Sequence, residues 1–162
     1  MRLVLRLAAA FFGCLLAAGA AAPVAVAAER LTGEQIQRAF EGNTVSGRYT
    51  NGGFFTEYHA PDGRALGHNG WQPNTDACWI TKPEGICYYY GPPENRTVHC
   101  FTVETSGELY VLRNLGNGLV NALARIERGN PRNHTDNGTP WYCDGLISRA
   151  PAPPMSRRLA RW

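Results

Sequence analysis

The chain of 162 residues holds one lysine, two methionines and a single long apolar run. None of its five cysteines sits in a C-x-x-C pair, and none of its four histidines in H-x-x-x-H or H-E-x-x-H. Each absence removes a class of function. Without close cysteine pairs, a zinc knuckle or a thioredoxin-like redox site is excluded. Without close histidine pairs, so is a helix-borne metal site. No G-x-S-x-G marks a serine nucleophile. Gly116-Asn117-Gly118 is not followed by the G-K-S/T that completes a phosphate cradle. No metal and no cofactor are expected.

The one apolar run lies at the start. Arg2 and Arg6 precede a stretch of Leu, Ala and Phe, and no acid occurs before Glu29. A charged start, an apolar middle and small residues ending in Ala25-Val26-Ala27-Ala28 are the order of a secretory signal. Residues 1–28 are read as a signal peptide cleaved near Ala27 or Ala28, and the protein as periplasmic or secreted. The competing reading is an uncleaved anchor, since Leu7 to Ala28 is long enough to span a bilayer. The alanine richness, Pro23 and the A-x-A ending favour removal.

Removing Arg2 and Arg6 lowers the net charge from +3 to +1. Residues 29–148 then carry ten basic residues against thirteen acids, and Arg149, Arg157, Arg158 and Arg161 supply all the positive excess. A weakly acidic body offers no footprint for nucleic acid. Residues 149–162, rich in proline and arginine, cannot build a core and are read as a disordered basic tail. Its Arg157, Arg158, Arg161 and Trp162 are candidates for weak contact with an anionic surface.

Once Cys14 leaves with the signal, four cysteines remain, an even number that in an exported chain points to two disulfides. A hairpin centred on "GPPENR" sets Cys87 opposite Cys100, close enough to bridge. Centring the preceding hairpin on "TKPEG" sets Trp79 opposite Cys87 and turns Cys78 to the other face. Cys78 is thereby assigned to Cys143. A register shifted by one residue reopens all three connectivities. In the chain-entropy model the short loop contributes about 3 kcal/mol and the long one about 4.

One helix is well signalled. In "LTGEQIQRAFEGN", Thr32 is a natural N-cap, Gln35 completes a capping box, and Leu31 with Ile36 forms a staple. Gly42 supplies the residue that stops it. The remainder reads as short strands: "NTVSGRYT", "GGFFTEYHA", "ACWIT", "ICYYY", "TVHCFTVE" and "ELYVLR", divided by turn residues. "GLVNALARIERG" suits helix by composition, yet Val120, Ala122, Ala124 and Ile126 alternate, and the preferred reading is a last strand. The expected fold is mainly β: residues 29–148 form a small lipocalin-like meander barrel, or a strongly curved antiparallel sheet, with one short N-terminal helix.

These elements resemble, in their order, a family of short exported bacterial proteins of unknown function. The likeness rests on Leu31-Thr32-Gly33-Glu34-Gln35-Ile36, on Gly42-Asn43-Thr44, on Tyr58 with Asp62-Gly63, and on Trp79, Cys87-Tyr88 and Cys100-Phe101. It covers about residues 31 to 129. The resemblance implies a lipocalin-like curved sheet and brings no catalytic residues. Cys78, Cys143 and everything after Asn130 depart from the pattern.

Candidate chemistry is sparse. His59 stands between Glu57 and Asp62, a conceivable acid–base site. Glu57, His59 and Phe55 share a strand face, however, and a solvated cross-strand face is the preferred reading. His68 is read as turn-adjacent and exposed, His99 as packed on Tyr88, and His134 as part of a polar loop. Aromatic density is the stronger signal, with Trp71, Trp79, Tyr88, Tyr89, Tyr90, Tyr110, Trp141 and Tyr142. Alternation places Tyr89 with Trp79 in the interior, as candidate ligand-binding residues, and Tyr88 and Tyr90 on the other side. The leading functional expectation is an exported, non-catalytic binding or envelope-associated protein whose partner is an unknown envelope ligand or protein. An alternative is a periplasmic enzyme inhibitor: Ser46-Gly47-Arg48-Tyr49 is similar, one residue short, to the S-G-x-x-Y loop of exported bacterial lysozyme inhibitors. A small hydrolase using His59 ranks last.

Overall fold

The computed structural model describes residues 28–70, 72–138 and 143. The leader, the basic tail with Arg157, Arg158, Arg161 and Trp162, and the aromatics Trp71, Trp141 and Tyr142 lie outside the described residues. In chain order the elements are β1 (Glu29–Arg30), α1 (Gly33–Phe40), β2 (Thr44–Tyr49), β3 (Phe54–His59), β4 (Arg64–Asn69), β5 (Gln72–Lys82), β6 (Gly85–Tyr90), β7 (Thr97–Ser106), β8 (Leu109–Asn114) and β9 (Val120–Glu127), with a 3-10 turn at Pro93–Asn95.

Strands β2 to β9 pair antiparallel, each with its neighbour in sequence, and β9 returns to β2 from Thr44↔Glu127 to Tyr49↔Ala122. That pairing closes an eight-stranded up-and-down barrel. The short β1 lies outside the circuit, where Glu29 and Arg30 pair with Thr105 and Glu104 of β7.

Helix α1 forms for the reasons its residues suggest. Thr32 Oγ1 accepts from Gln35 N–H at 3.3 Å and Gln35 Oε1 accepts from Thr32 N–H at 2.7 Å, closing the capping box. Gly42 turns the chain at φ +72°. An eight-residue helix has little stability of its own, so its apolar face must find cover. Ile36 and Phe40, both at 0% exposure, sink into one end of the barrel against the core that includes Val45, Ile86 and Val103. The helix is a plug.

Register corrects one expectation. Lys82 pairs with Gly85, leaving Pro83 and Glu84 as a two-residue turn, so the β5–β6 hairpin centres between them rather than on Pro83. The half-residue change in centre shifts every pair by one. Trp79 faces Tyr88, Cys78 faces Tyr89, and Ile80 faces Cys87. Opposed residues share a face and neighbours alternate. Trp79, Tyr88 and Tyr90 therefore point inward, and Tyr89 lies on the outer face beside Cys78, against the expectation that Tyr89 lines the interior. Cys78 and Cys87 also share the outer face, which removes the alternation argument against joining them. What selects the bridges is direct opposition: Cys87 pairs with Cys100 across β6 and β7, Cα atoms 4.1 Å apart, and Cys78 is joined to Cys143 at 5.6 Å.

Strand β4 was not foreseen. "RALGHN" mixes glycine and polar residues and lacks a strand's composition, yet both of its edges are paired, to β3 and to β5. "GLVNALARIERG" does form the last strand, with Ala122 and Ala124 buried.

After β9 the chain turns back over the outside of the barrel. Thr44 Oγ1 donates to Gly129 O at 2.7 Å, His134 Nε2 lies 3.1 Å from Thr56 Oγ1, and Arg64 meets Asp136 at 2.6 Å. These contacts make residues 129–138 a strap across β2, β3 and β4, and Cys143 is joined to β5 through Cys78.

A candidate ligand cavity

The plugged end of the barrel is filled. His59, at 0% exposure, meets Phe40, Trp79 and Tyr88 edge to face, with ring centroids 5.2, 5.1 and 5.6 Å away. Its Nδ1 lies 3.1 Å from the Glu57 carbonyl oxygen and its Nε2 2.7 Å from the Tyr88 hydroxyl. A carbonyl can only accept, so Nδ1 carries the proton and Nε2 accepts from Tyr88. Burial lowers the imidazole pKa to about 3, against smaller opposing contributions from backbone hydrogen bonds, and the ring is neutral. His59 is thus a core histidine. The solvated face expected for Glu57 and His59 is the barrel interior, because closure turns that face of β3 inward. Asp62 lies apart in the turn, paired with Arg64 at 2.8 Å.

Above Tyr88 the packing opens. A cavity of about 260 Å³ runs to the other end of the barrel, lined by Tyr49, Asn51, Phe55, Glu57, Asn69, Tyr88, Tyr90, His99, Phe101, Leu112 and Asn121. Its rings are packed against one another: Tyr49 with Phe55 at 4.9 Å, Tyr88 with Tyr90 at 6.5 Å, Tyr90 with exposed His99 at 5.8 Å. Tyr49 donates its hydroxyl hydrogen to Asn69 Oδ1. The mouth is formed by the turns that join β2 to β3, β4 to β5, β6 to β7 and β8 to β9.

Glu57 is the cavity's carboxylate, and it is 5% exposed. Asn74 Nδ2 donates to its Oε1, and the Tyr90 hydroxyl hydrogen-bonds the same carboxyl group. Desolvation raises its pKa to about 7, opposed by those two hydrogen bonds. Burial, reinforced by this nearby negative charge, also pushes the Tyr49, Tyr88 and Tyr90 phenols upward.

Two irregularities build this wall. Between Ala65↔Ala77 and Gly67↔Asn74, β5 carries one residue more than β4. Such a bulge re-aims side chains, and here it turns Asn74 inward onto Glu57. A second shift, between Leu112↔Ala122 and Arg113↔Val120, sets Asn121 at the mouth. Gly67 keeps the wall close: a Cβ there would fall 2.0 Å from the Thr56 carbonyl oxygen, on the strand that carries Glu57.

Of the residues singled out in sequence, Trp79 is at the packed end, with Nε1 donating to Ala60 O at 3.1 Å, and does not line the cavity. Tyr89 is outside it. Tyr88, Tyr90 and Glu57 are the lining groups that sequence reasoning placed elsewhere. Ser46-Gly47-Arg48-Tyr49 is part of β2 rather than a loop, with Ser46 Oγ donating to Thr56 Oγ1 at 2.9 Å and Tyr49 inside the cavity. Among the described residues no group of three or more His, Cys, Asp or Glu could hold a metal, and no helix is long and apolar enough to cross a membrane.

The fold and cavity define the class: a closed, antiparallel eight-stranded barrel, plugged at one end by a helix and open at the other. Comparison with protein-family models, curated proteins and solved structures finds no match to this chain.

Proposed function

We propose that the chain is an exported, non-catalytic binding protein that takes a small, ring-bearing molecule into the open end of its barrel. The cavity carries this reading. It is concave, walled by aromatic rings, and furnished with a few convergent polar groups from Glu57, Asn69 and Asn121, the usual composition of a small-molecule site. Engineered cavities of about 150 Å³ hold benzene, so a space of about 260 Å³ accommodates a single ring with a short substituent. Two disulfides suit an oxidising compartment. His59, the candidate for hydrolysis, lies below the cavity floor with both ring nitrogens engaged.

The test is titration of the oxidised protein with monocyclic aromatic compounds, followed by NMR. Binding should saturate, move the resonances of Phe55, Tyr90 and Leu112, and disappear in Leu112→Trp, where the larger side chain fills the space. Turnover of a substrate that His59→Ala abolishes, or no saturable binding at all, would overturn the reading.

A further inference from the structure

We propose that the cavity selects organic cations, specifically small primary amines carrying one aromatic ring, with the ammonium held by Glu57 and the ring lodged among Tyr49, Phe55, Tyr90 and Phe101. The inference rests on the cavity-binding reading above and names its ligand class.

The wall carries one carboxylate and no Arg or Lys among the described residues. Its two hydrogen bonds, from Asn74 and Tyr90, come from neutral groups and leave its charge uncompensated. A buried carboxylate without a cation is costly, and removing the charge or supplying a partner relieves that cost. The faces of aromatic rings add to the attraction, because each presents negative potential to a cation within about 6 Å. Tyr49, Phe55 and Tyr90 line the same cavity as the carboxylate, and the Tyr90 hydroxyl hydrogen-bonds it. An amine has up to three N–H donors to offer the Glu57 oxygens. An anionic ligand would meet Glu57 at short range without a compensating donor of positive charge.

The groups facing Glu57 are Tyr49 from β2, Tyr88 and Tyr90 from β6, and Asn74 from β5, with neutral His59 on its own strand below and His99 from β7 at the mouth. Because the carboxyl pKa stands near 7, a cationic ligand competes with a proton, and affinity rises as pH passes through neutrality.

The experiment is calorimetric titration of the oxidised full chain with phenethylamine, 2-phenylethanol and phenylacetate at pH 6 and pH 8. Phenethylamine should bind at least tenfold more tightly than 2-phenylethanol at pH 8. Its affinity should increase about tenfold from pH 6 to pH 8, the ratio of ionised Glu57 at the two values for a pKa of about 7. His99→Gln should leave that increase intact, which separates Glu57 from a histidine at the mouth. Glu57→Gln should keep 2-phenylethanol binding and lose both the amine preference and the pH dependence. Tyr90→Leu should weaken the amine more than the alcohol, and it serves with the wild-type pH profile should Glu57→Gln fail to fold. Equal affinities for amine and alcohol, a preference for phenylacetate, or a pH dependence lost in His99→Gln would overturn the amine assignment while leaving the cavity as a binding site. Failure of all three compounds to bind would overturn both.

Discussion

The two halves of the barrel interior are built from the same residue types and end in opposite states. At the plugged end an aromatic set of Phe40, His59, Trp79 and Tyr88 interlocks edge to face, and each polar atom has a named partner: His59 with Glu57 O and Tyr88, Trp79 with Ala60 O. At the open end Tyr49, Phe55, Tyr90 and Phe101 stand round a space of about 260 Å³ with a carboxylate in its wall. The difference is made by what enters from the ends. Helix α1 delivers Ile36 and Phe40 to one side. Among the described residues only turns border the other, where the bulges contribute asparagines instead of apolar side chains. The same kind of ring thus serves as filling where a plug arrives and as lining where none does.

The sharpest way to break this comparison is to pull the plug. Phe40→Ala removes a fully buried ring that contacts His59 and Tyr110, and should cost about 4 kcal/mol in denaturant unfolding. A loss below about 1 kcal/mol would mean the helix is dispensable and the two ends are alike.

The next effect separates the halves by pH. Glu57 has a folded-state pKa raised from 4.5 to about 7, so the folded state holds its proton more tightly, and stability falls as pH rises through that window. His59 has one lowered from 6.5 to about 3, so stability falls as pH drops through its window. Between 4.5 and 6.5 the two slopes oppose each other, giving a plateau with a decline below it and a smaller one up to about pH 7. Glu57→Gln should remove the alkaline decline, making the variant more stable than wild type by up to about 3 kcal/mol at pH 8 and leaving pH 4 little changed. Identical pH profiles for variant and wild type would show that the open end does not strain its carboxylate. A gain from deleting Glu57 is the expected signature of a group kept for binding at the expense of stability.

The smallest effect lies outside the barrel. His134→Ala removes the hydrogen bond to Thr56 and should cost about 1 kcal/mol. Hydrogen exchange should accelerate in residues 129–138 and not in β3, since Cys143 keeps the strap tethered to Cys78. Faster exchange at the cavity residues would instead show that the strap braces the open end.

Much of this architecture could be read from residues. The capping box of α1, the opposition of Cys87 and Cys100 and the last strand all follow from local chemistry. The cavity was less legible, and the reasons are specific. Pro83-Glu84 forms a turn shorter than "TKPEG" suggests, and a shift of one residue exchanges Tyr89 for Tyr88 and Tyr90 as the interior set. Strand β4 lacks strand composition because Gly67 serves close approach to β3 and not propensity. Asn74 reaches Glu57 through a bulge that has no marker in the sequence. Glu57 and His59 were correctly placed on one face with Phe55. Which side of a sheet is inside depends on closure, a property of all eight strands that no single strand encodes.

Strand β1 covers a barrel edge that β6 leaves open. Strand β6 pairs with β7 only from Thr97 to Phe101, so beyond that point one flank of β7 has no barrel neighbour. Glu29, Arg30 and the Leu31 N–H, bonded to Val103 O at 2.8 Å, cover it. An uncovered strand edge is a template for another chain. Glu29, Arg30 and Leu31 thereby occupy backbone positions of β7 that a strand from another chain would otherwise be free to pair with.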